Sequence, residues 1–239
     1  MENVNNIVEI KENTTLLLTN PTLYNFIVNE GVKLELRLAI FDVENNIDIK
    51  GFVKDNGRVN IAIADFSNST FKATIDIDLN GDYSQSNVNL ASLSKNDNNK
   101  EFSVSIKQTG FNTRADIDCY GVATNNSSLI FSGTSHILNG SRQSFTSQKA
   151  KIIVFDENVK AKASPILKID ENDVKASHSA LVGKLNPNHL YYLQSRGIKL
   201  DDAKKLITYG YLKPIEKYFN EEIASNIENI IKEGVLWLI

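Results

Sequence analysis

The chain has 239 residues, with 26 Lys and Arg against 29 Asp and Glu, a formal net charge of −3 and a pI near 5.7. That weakly acidic balance argues against a general nucleic-acid binder, whose affinity rests on a Lys/Arg surface, and the single cysteine excludes an internal disulfide or a thiolate-rich cluster site made by this chain alone. The opening MENVNNIVEIKEN lacks the basic and apolar regions of a signal peptide, and no apolar run reaches the roughly 18 residues of a membrane span, so a cytoplasmic protein off the membrane is expected.

Up to about residue 185 the chain alternates apolar and polar residues in short runs. Val32 to Ile40 reads V-K-L-E-L-R-L-A-I, and residues 47–53 read I-D-I-K-G-F-V. Residues 58–64, 71–79 and 102–106 repeat the pattern. This period of two predicts strands with one buried face. The breaks fall at Asn29-Glu30-Gly31, Asn45-Asn46, Asp55-Asn56-Gly57, Asn68-Ser69 and Asn80-Gly81-Asp82. Asn is abundant, 29 residues in all, and it suits sharp corners because it tolerates left-handed backbone and bonds its own main chain. Many short strands with tight corners fit a sandwich, a barrel or a β-helix, and periodicity alone does not choose among them. Tyr83 to Lys100, poor in large apolar residues, reads as a long turn.

From residue 186 the period becomes helical, so the chain divides into a β-core over 1–185 and a helical subdomain over 186–239. Pro187 suits a first helical position, with Leu190, Tyr191 and Leu193 on an apolar side ending at Arg196-Gly197. Asp201 and Asp202 favour the first turn of a second helix, which Gly210 is placed to end. A third helix is predicted from near Pro214, with Ile215, Phe219, Ile223 and Ile227 on one stripe and an apolar tail through Val235 to Leu238. Seven basic residues balance seven acidic ones from Pro187 onward, so this is no polybasic membrane helix.

No phosphate-binding loop, dinucleotide fingerprint, H-E-x-x-H or G-x-S-x-G occurs. Cys119 lies in the alternating run A-D-I-D-C-Y and reads as a small core residue. Aspartates at 48, 76, 116 and 118 fall on strand faces. Stacked carboxylates of this kind support acid/base work in carbohydrate-active β-helix enzymes, whereas the plainer reading is a solvated face that discourages edge pairing. His136 and His189 read as structural or exposed.

The most specific stretch runs from Ile130 to Ile198. It holds I-F-S-G-T-S-H-I-L-N-G, then S-F-T-S-Q, then P-I-L-K-I-D-E-N-D-V-K-A-S-H-S-A-L-V-G-K-L, then L-Y-Y-L-Q-S-R-G-I. This resembles the C-terminal half of the SufB/SufD family of iron–sulfur cluster assembly proteins over residues 105–230. Lys149 stands where the SufB-like branch has a cysteine, and Ser179 where that branch has an acidic residue, so the chain resembles the SufD-like branch.

The resemblance implies a right-handed parallel β-helix with a C-terminal helical subdomain, in a short form without the family's N-terminal helical domain. It implies a non-catalytic scaffold subunit of a SufBCD-type complex, not an enzyme. His178 would be a candidate Fe/Fe–S ligand facing a SufB-type partner, and any cluster there would borrow its thiolates from that partner. The helices from Pro187 would dock a SufC-type ATPase. The residues holding that pattern are Leu190, Tyr191, Tyr192, Leu193, Arg196, Gly197 and Ile198, then Gly210, Leu212, Pro214 and Ile215. Lys199 replaces a frequent Ser, which removes a side-chain cap from the second helix. The remaining alternatives are the carbohydrate-active enzyme and a self-associating β-helix joined to its own copy.

Overall fold

The computed structural model describes residues 7–42 and 46–234. Asn45 and the apolar tail at 235–238 lie outside the described residues. Fourteen strands come first: β1 (Ile7–Ile10), β2 (Thr14–Thr19), β3 (Leu23–Val28), β4 (Lys33–Ile40), β5 (Ile47–Val53), β6 (Arg58–Asp65) and β7 (Phe71–Leu79). They continue as β8 (Gln85–Ser94), β9 (Asn99–Gln108), β10 (Arg114–Ala123), β11 (Ser128–Ile137), β12 (Phe145–Val154), β13 (Lys160–Ile169) and β14 (Lys175–Lys184). Odd-numbered strands form one seven-stranded sheet and even-numbered strands the other, with every strand pairing among the described residues parallel. Each coil thus adds one strand to each sheet, and the chain is a two-sheet parallel β-solenoid.

Parallel in-register pairing carries each side-chain type straight up the stack. On the even sheet one inward column reads Leu36, Ile61, Val88, Ile117, and its neighbour begins Leu38, Ile63, Leu90, Cys119. These residues are at most 4% exposed. Phe102 fills the middle of the tube, with its ring 5.5 Å from Phe71 and 5.8 Å from Phe131, both edge-on.

One corner is a column of left-handed residues: Gly31, Asn56, Tyr83, Asn112 and Gln143. Each donates its backbone N–H to the next coil, to Asp55, Asp82, Phe111, Arg142 and Asp173 in turn. Successive members lie 25, 27, 29 and 31 residues apart, and the strands lengthen from 6 residues in β2 to 10 from β8 onward. Five of the seven non-glycine left-handed residues among those described are Asn, which accounts for part of the Asn excess. Gly81 sits at this corner because a Cβ there would collide with the Lys54–Asp55 backbone.

The expected long turn over 83–100 is instead largely β8. Its Val88 and Leu90 point inward, and its other buried positions include Ser86, Ser92 and Ser94. Serine there hides the alternation, because it fills a narrow place beside the corner without adding hydrophobicity. Lys100 is also inside. Its ammonium reaches Asp65 at 2.9 Å and the carbonyls of Ser67 and Leu93 at 2.8 and 2.9 Å, and both charged side chains are fully buried.

The helices are α1 (Pro187–Ser195), α2 (Leu200–Leu212) and α3 (Glu221–Gly234), with a 3-10 turn at Lys213–Tyr218 between the last two. Asn186 caps α1 through Asn188 N–H, and Gly197 follows it at φ +83. No side chain caps α2 at Lys199. Gly210 does not end α2, because burial of Leu212 against the even sheet holds a further half turn. Pro214 opens the 3-10 turn rather than an α-helix, and the chain restarts at Asn220, whose side chain accepts from Ile223 N–H at 3.0 Å.

Leu212, Ile215, Ile223, Ile227 and Ile231 pack on the outer face of the even sheet. That face is cut low by Ala39, Ala64 and Ala91, which are ladder partners across β4, β6 and β8. Small residues let a helical layer approach the strands closely. No helix among the described residues is long and apolar enough to cross a membrane.

Candidate functional site

The inward column that runs through Leu36 does not stay apolar. Above Ile117 its next members are Gln148 on β12 and His178 on β14. β14 is the last strand of the even sheet, and no strand stacks above it among the described residues. The tube is therefore open at this rung, and His178 is exposed at its mouth. On the same edge strand Leu181 and Val182 are 53% and 40% exposed.

The rung beneath the mouth is polar and closed. Gln148 is 3% exposed, and its Nε2 donates to Ser135 Oγ at 2.7 Å and to the Ile166 carbonyl at 3.1 Å. Thr146 donates to the same Ser135 hydroxyl at 2.8 Å. The S-F-T-S-Q segment supplies Thr146 and Gln148, so a run quoted only for resemblance turns out to line the tube. A lone Gln at a position in step with Thr146 and Ala150 was the available signal.

Lys149 points to the outside, 3.8 Å from Asp118 and beside Ser179 in the ladder. Cys119 is buried, and desolvation, with the Asp118 charge adding, pushes its thiol up to about 12. A thiol of that kind carries no thiolate to offer a metal at neutral pH. Among the described residues no three of His, Cys, Asp and Glu gather as a metal site. This chain's contribution to an iron centre would be one imidazole, a suitable iron ligand that needs companions from elsewhere.

The helical candidates separate by exposure. Tyr191 and Tyr192 stand out at 74% and 57%, and Arg196, Gly197 and Pro214 are exposed, while Leu190, Leu193 and Ile198 are half-covered. Leu212 and Ile215 are buried in the layer that holds the helices to the sheet. α1 has no buried residue at all.

The carboxylates divide between the two sheets. Asp48, Asp76 and Asp78 lie on the odd sheet, whereas Asp116 and Asp118 lie on the even one, each alternating with inward residues. The two groups thus face away from each other on opposite outer surfaces and cannot flank one glycosidic bond. Register also sets Lys50 beside Asp76, Lys107 beside Asp78 and Lys149 beside Asp118. Burial raises the Asp76 carboxyl above its ordinary value against Lys50, with Asp78 and Asp48 adding to the rise. His136 meets Asp170 at 2.7 Å on the odd sheet, and His189 is exposed in the first turn of α1.

A closed, mainly apolar tube with an open polar rung at one end and a helical layer on one flank defines the class, a two-sheet parallel β-solenoid. Residues 39–211 match the family described as SUF system FeS cluster assembly, SufBD core domain. The chain belongs to this SufBD core family. It is similar to the iron–sulfur cluster assembly protein SufD of Bacillus subtilis, 33% identical over 159 residues, covering 64% of this chain and 36% of that protein. A SufBD family protein of Mycobacterium bovis is 25% identical over 154 residues, 64% of this chain and 18% of the relative. One from Mycobacterium leprae is 30% identical over 121 residues, 51% of this chain and 14% of the relative. The chain therefore spans about a third or less of the length of these curated relatives.

Proposed function

We propose that the chain is a SufD-like, non-catalytic scaffold subunit of a cytoplasmic SufBCD-type assembly that builds iron–sulfur clusters as its cargo. The observation that carries this reading is the ending of an inward column on an exposed imidazole, on the outermost described strand of the even sheet, in a chain of the SufBD family. The open rung takes a SufB-type partner or a second copy, which supplies the thiolates that this chain lacks. Exposed Leu181 and Val182 favour coverage of that rung, since large apolar patches on strand edges mark interaction sites.

The α1 surface around Tyr191, Tyr192 and Arg196 docks a SufC-type ATPase by presenting aromatic anchors with a guanidinium alongside. Leu212 and Ile215 serve the same function from inside, as the rivet between the helical arm and the even sheet. A pull on the arm during the partner's nucleotide cycle is then delivered to the sheet that carries His178.

Two measurements test this. Co-expression with a SufC-type ATPase should give a complex that Tyr191→Asp/Tyr192→Asp abolishes while the chain stays folded; an intact complex would refute the docking surface. Reconstitution of the full assembly should lose cluster yield with His178→Ala, and an unchanged yield would remove His178 from the site.

A further inference from the structure

A cleft of about 310 Å³ lies between the outer face of the even sheet and the helical arm, where α2 runs into the 3-10 turn. Register builds its floor. Ala91, Tyr120 and Lys151 are successive ladder partners on β8, β10 and β12, and Asp118 lies two residues before Tyr120 on the same face. The arm closes it from above with Gly210, Tyr211, Lys217 and Tyr218. No α1 residue lines it, so it stands apart from the docking surface proposed on that helix.

Two observations mark the cleft as built for an occupant. Half-buried Asp118 accepts no hydrogen bond among the described residues, and its one ion-pair partner, Lys149, stays 3.8 Å away. Burial raises its carboxyl above the ordinary value. Lys149 opposes that rise, Asp116 adds to it, and Lys217 opposes it from the arm. Lys217 therefore acts on Asp118 across the cleft without pairing with it. Neither Lys217 nor Lys151 has an ion-pair partner among the described residues, and the Lys217 ammonium lies 4.8 Å from the Tyr218 ring instead. The second observation is Gly210. It sits within α2 and does not end it, where glycine costs stability relative to alanine. No packing demands it, because a Cβ there would meet nothing within 4 Å. The missing side chain leaves open space where Gly210 lines the cleft.

We propose that this cleft binds a free aromatic α-amino acid, with its ammonium on Asp118, its carboxylate on Lys217 and Lys151, and its ring among Tyr120, Tyr211 and Tyr218. An acid and a base that face each other without meeting fit a ligand that carries the opposite charge at each end. A simple anion would satisfy the lysines but oppose Asp118, and a simple cation would do the reverse. Charge-assisted hydrogen bonds orient the two ends, and tyrosine rings favour an aromatic body by edge and offset contacts. The volume lies at the small end of ligand clefts, enough for one amino acid. An occupant would tie β10 to the 3-10 turn and so brace the arm on the sheet.

The test is calorimetric titration of the whole chain at neutral pH with L-phenylalanine, with phenethylamine, which lacks the carboxylate, and with hydrocinnamate, which lacks the ammonium. L-phenylalanine should bind, and each half-analogue should bind about 10–100-fold more weakly. Asp118→Asn should weaken L-phenylalanine by a similar factor and spare hydrocinnamate. Lys217→Met should weaken L-phenylalanine and spare phenethylamine. Gly210→Leu, which keeps every charge and fills the open space, should abolish binding while circular dichroism stays native. Absence of L-phenylalanine binding, hydrocinnamate binding as tight as that of L-phenylalanine, or binding that survives both Asp118→Asn and Lys217→Met would overturn the inference.

Discussion

Lys100 and Asp65 face each other across one corner of the solenoid with neither side chain exposed to water. The pair is fully furnished. Asp65 also accepts from the Ser67 backbone and hydroxyl and from Ser92, and two carbonyls complete the lysine's shell. Burial pulls the Lys100 ammonium below its ordinary range, and Asp65 opposes that pull. Removing one partner would strand the other charge in the interior. Lys100→Met or Asp65→Leu alone should therefore lower stability by about 3–5 kcal/mol, while the double replacement should recover much of the loss. Urea midpoints of the three variants check this, and additive losses in the double variant would refute the pairing.

At the left-handed corner, Asn112 sits at φ +52 and donates its N–H to Arg142. The bond is made by the backbone, so a substitution tests conformation alone. Asn112→Gly should be close to neutral, and Asn112→Ala should cost about 1–2 kcal/mol. Equal urea midpoints for both variants would show that the corner carries no such strain.

Cys119 should resist alkylation in the folded chain at pH 8, because its thiol is raised to about 12 and lies inside the tube. Complete labelling is expected only in denaturant, and mass spectrometry after a timed pulse distinguishes the two states. Rapid labelling of the native chain would mean that the interior at that rung opens readily.

Asp76 gives a pH signature. Its carboxyl value is raised on folding, so between the unfolded and folded values the folded state binds more protons. Its favourable contribution is present at low pH and is lost as pH rises through that window. Asp76→Asn removes the unfavourable charge, so at pH 7 the variant should melt at or above the temperature of the native chain, and the gap should close at roughly pH 3, where a carboxyl is largely protonated. A variant that melts lower at pH 7 would show that the Lys50 attraction outweighs burial.

Ala64 lies at 0% exposure between the even sheet and its helical cover. Ala64→Leu should overfill that seam, costing about 1–3 kcal/mol. Proteolysis within α2 and α3 should rise in parallel if the seam is what holds the arm.

The legible parts of the sequence were those where side-chain contrast is strong. β5 and β7 have the residue bounds that alternation predicts, because Ile, Val and Leu face inward against Asp, Lys and Thr outward. β8 was hidden by buried serines, and Lys100 by the ordinary expectation that lysine is wet. His178 was legible as a residue but not as a direction. The run K-A-S-H-S-A-L has weak contrast on both faces, and only register with Gln148 sets the imidazole on the inside. Gln148 carried only the signal of a polar residue in step with Thr146 and Ala150, too weak to place it inside the tube. The helix ends at Gly210 and Pro214 were misplaced because burial of Leu212 and Ile215 outranks local propensity.

The stepwise lengthening of the coils, from 25 to 31 residues along one corner, makes the solenoid a cone rather than a rod. Its narrow and wide ends do not fit one another, since strands of 4 to 6 residues at one end would meet strands of 10 at the other. Head-to-tail stacking of the described coils, the standing hazard of an open parallel stack, would therefore leave part of each ten-residue edge unpaired. Among the described strands, the taper leaves β14, the edge that carries His178, as the longer of the two outermost strands of the even sheet, with 10 residues against 6 in β2.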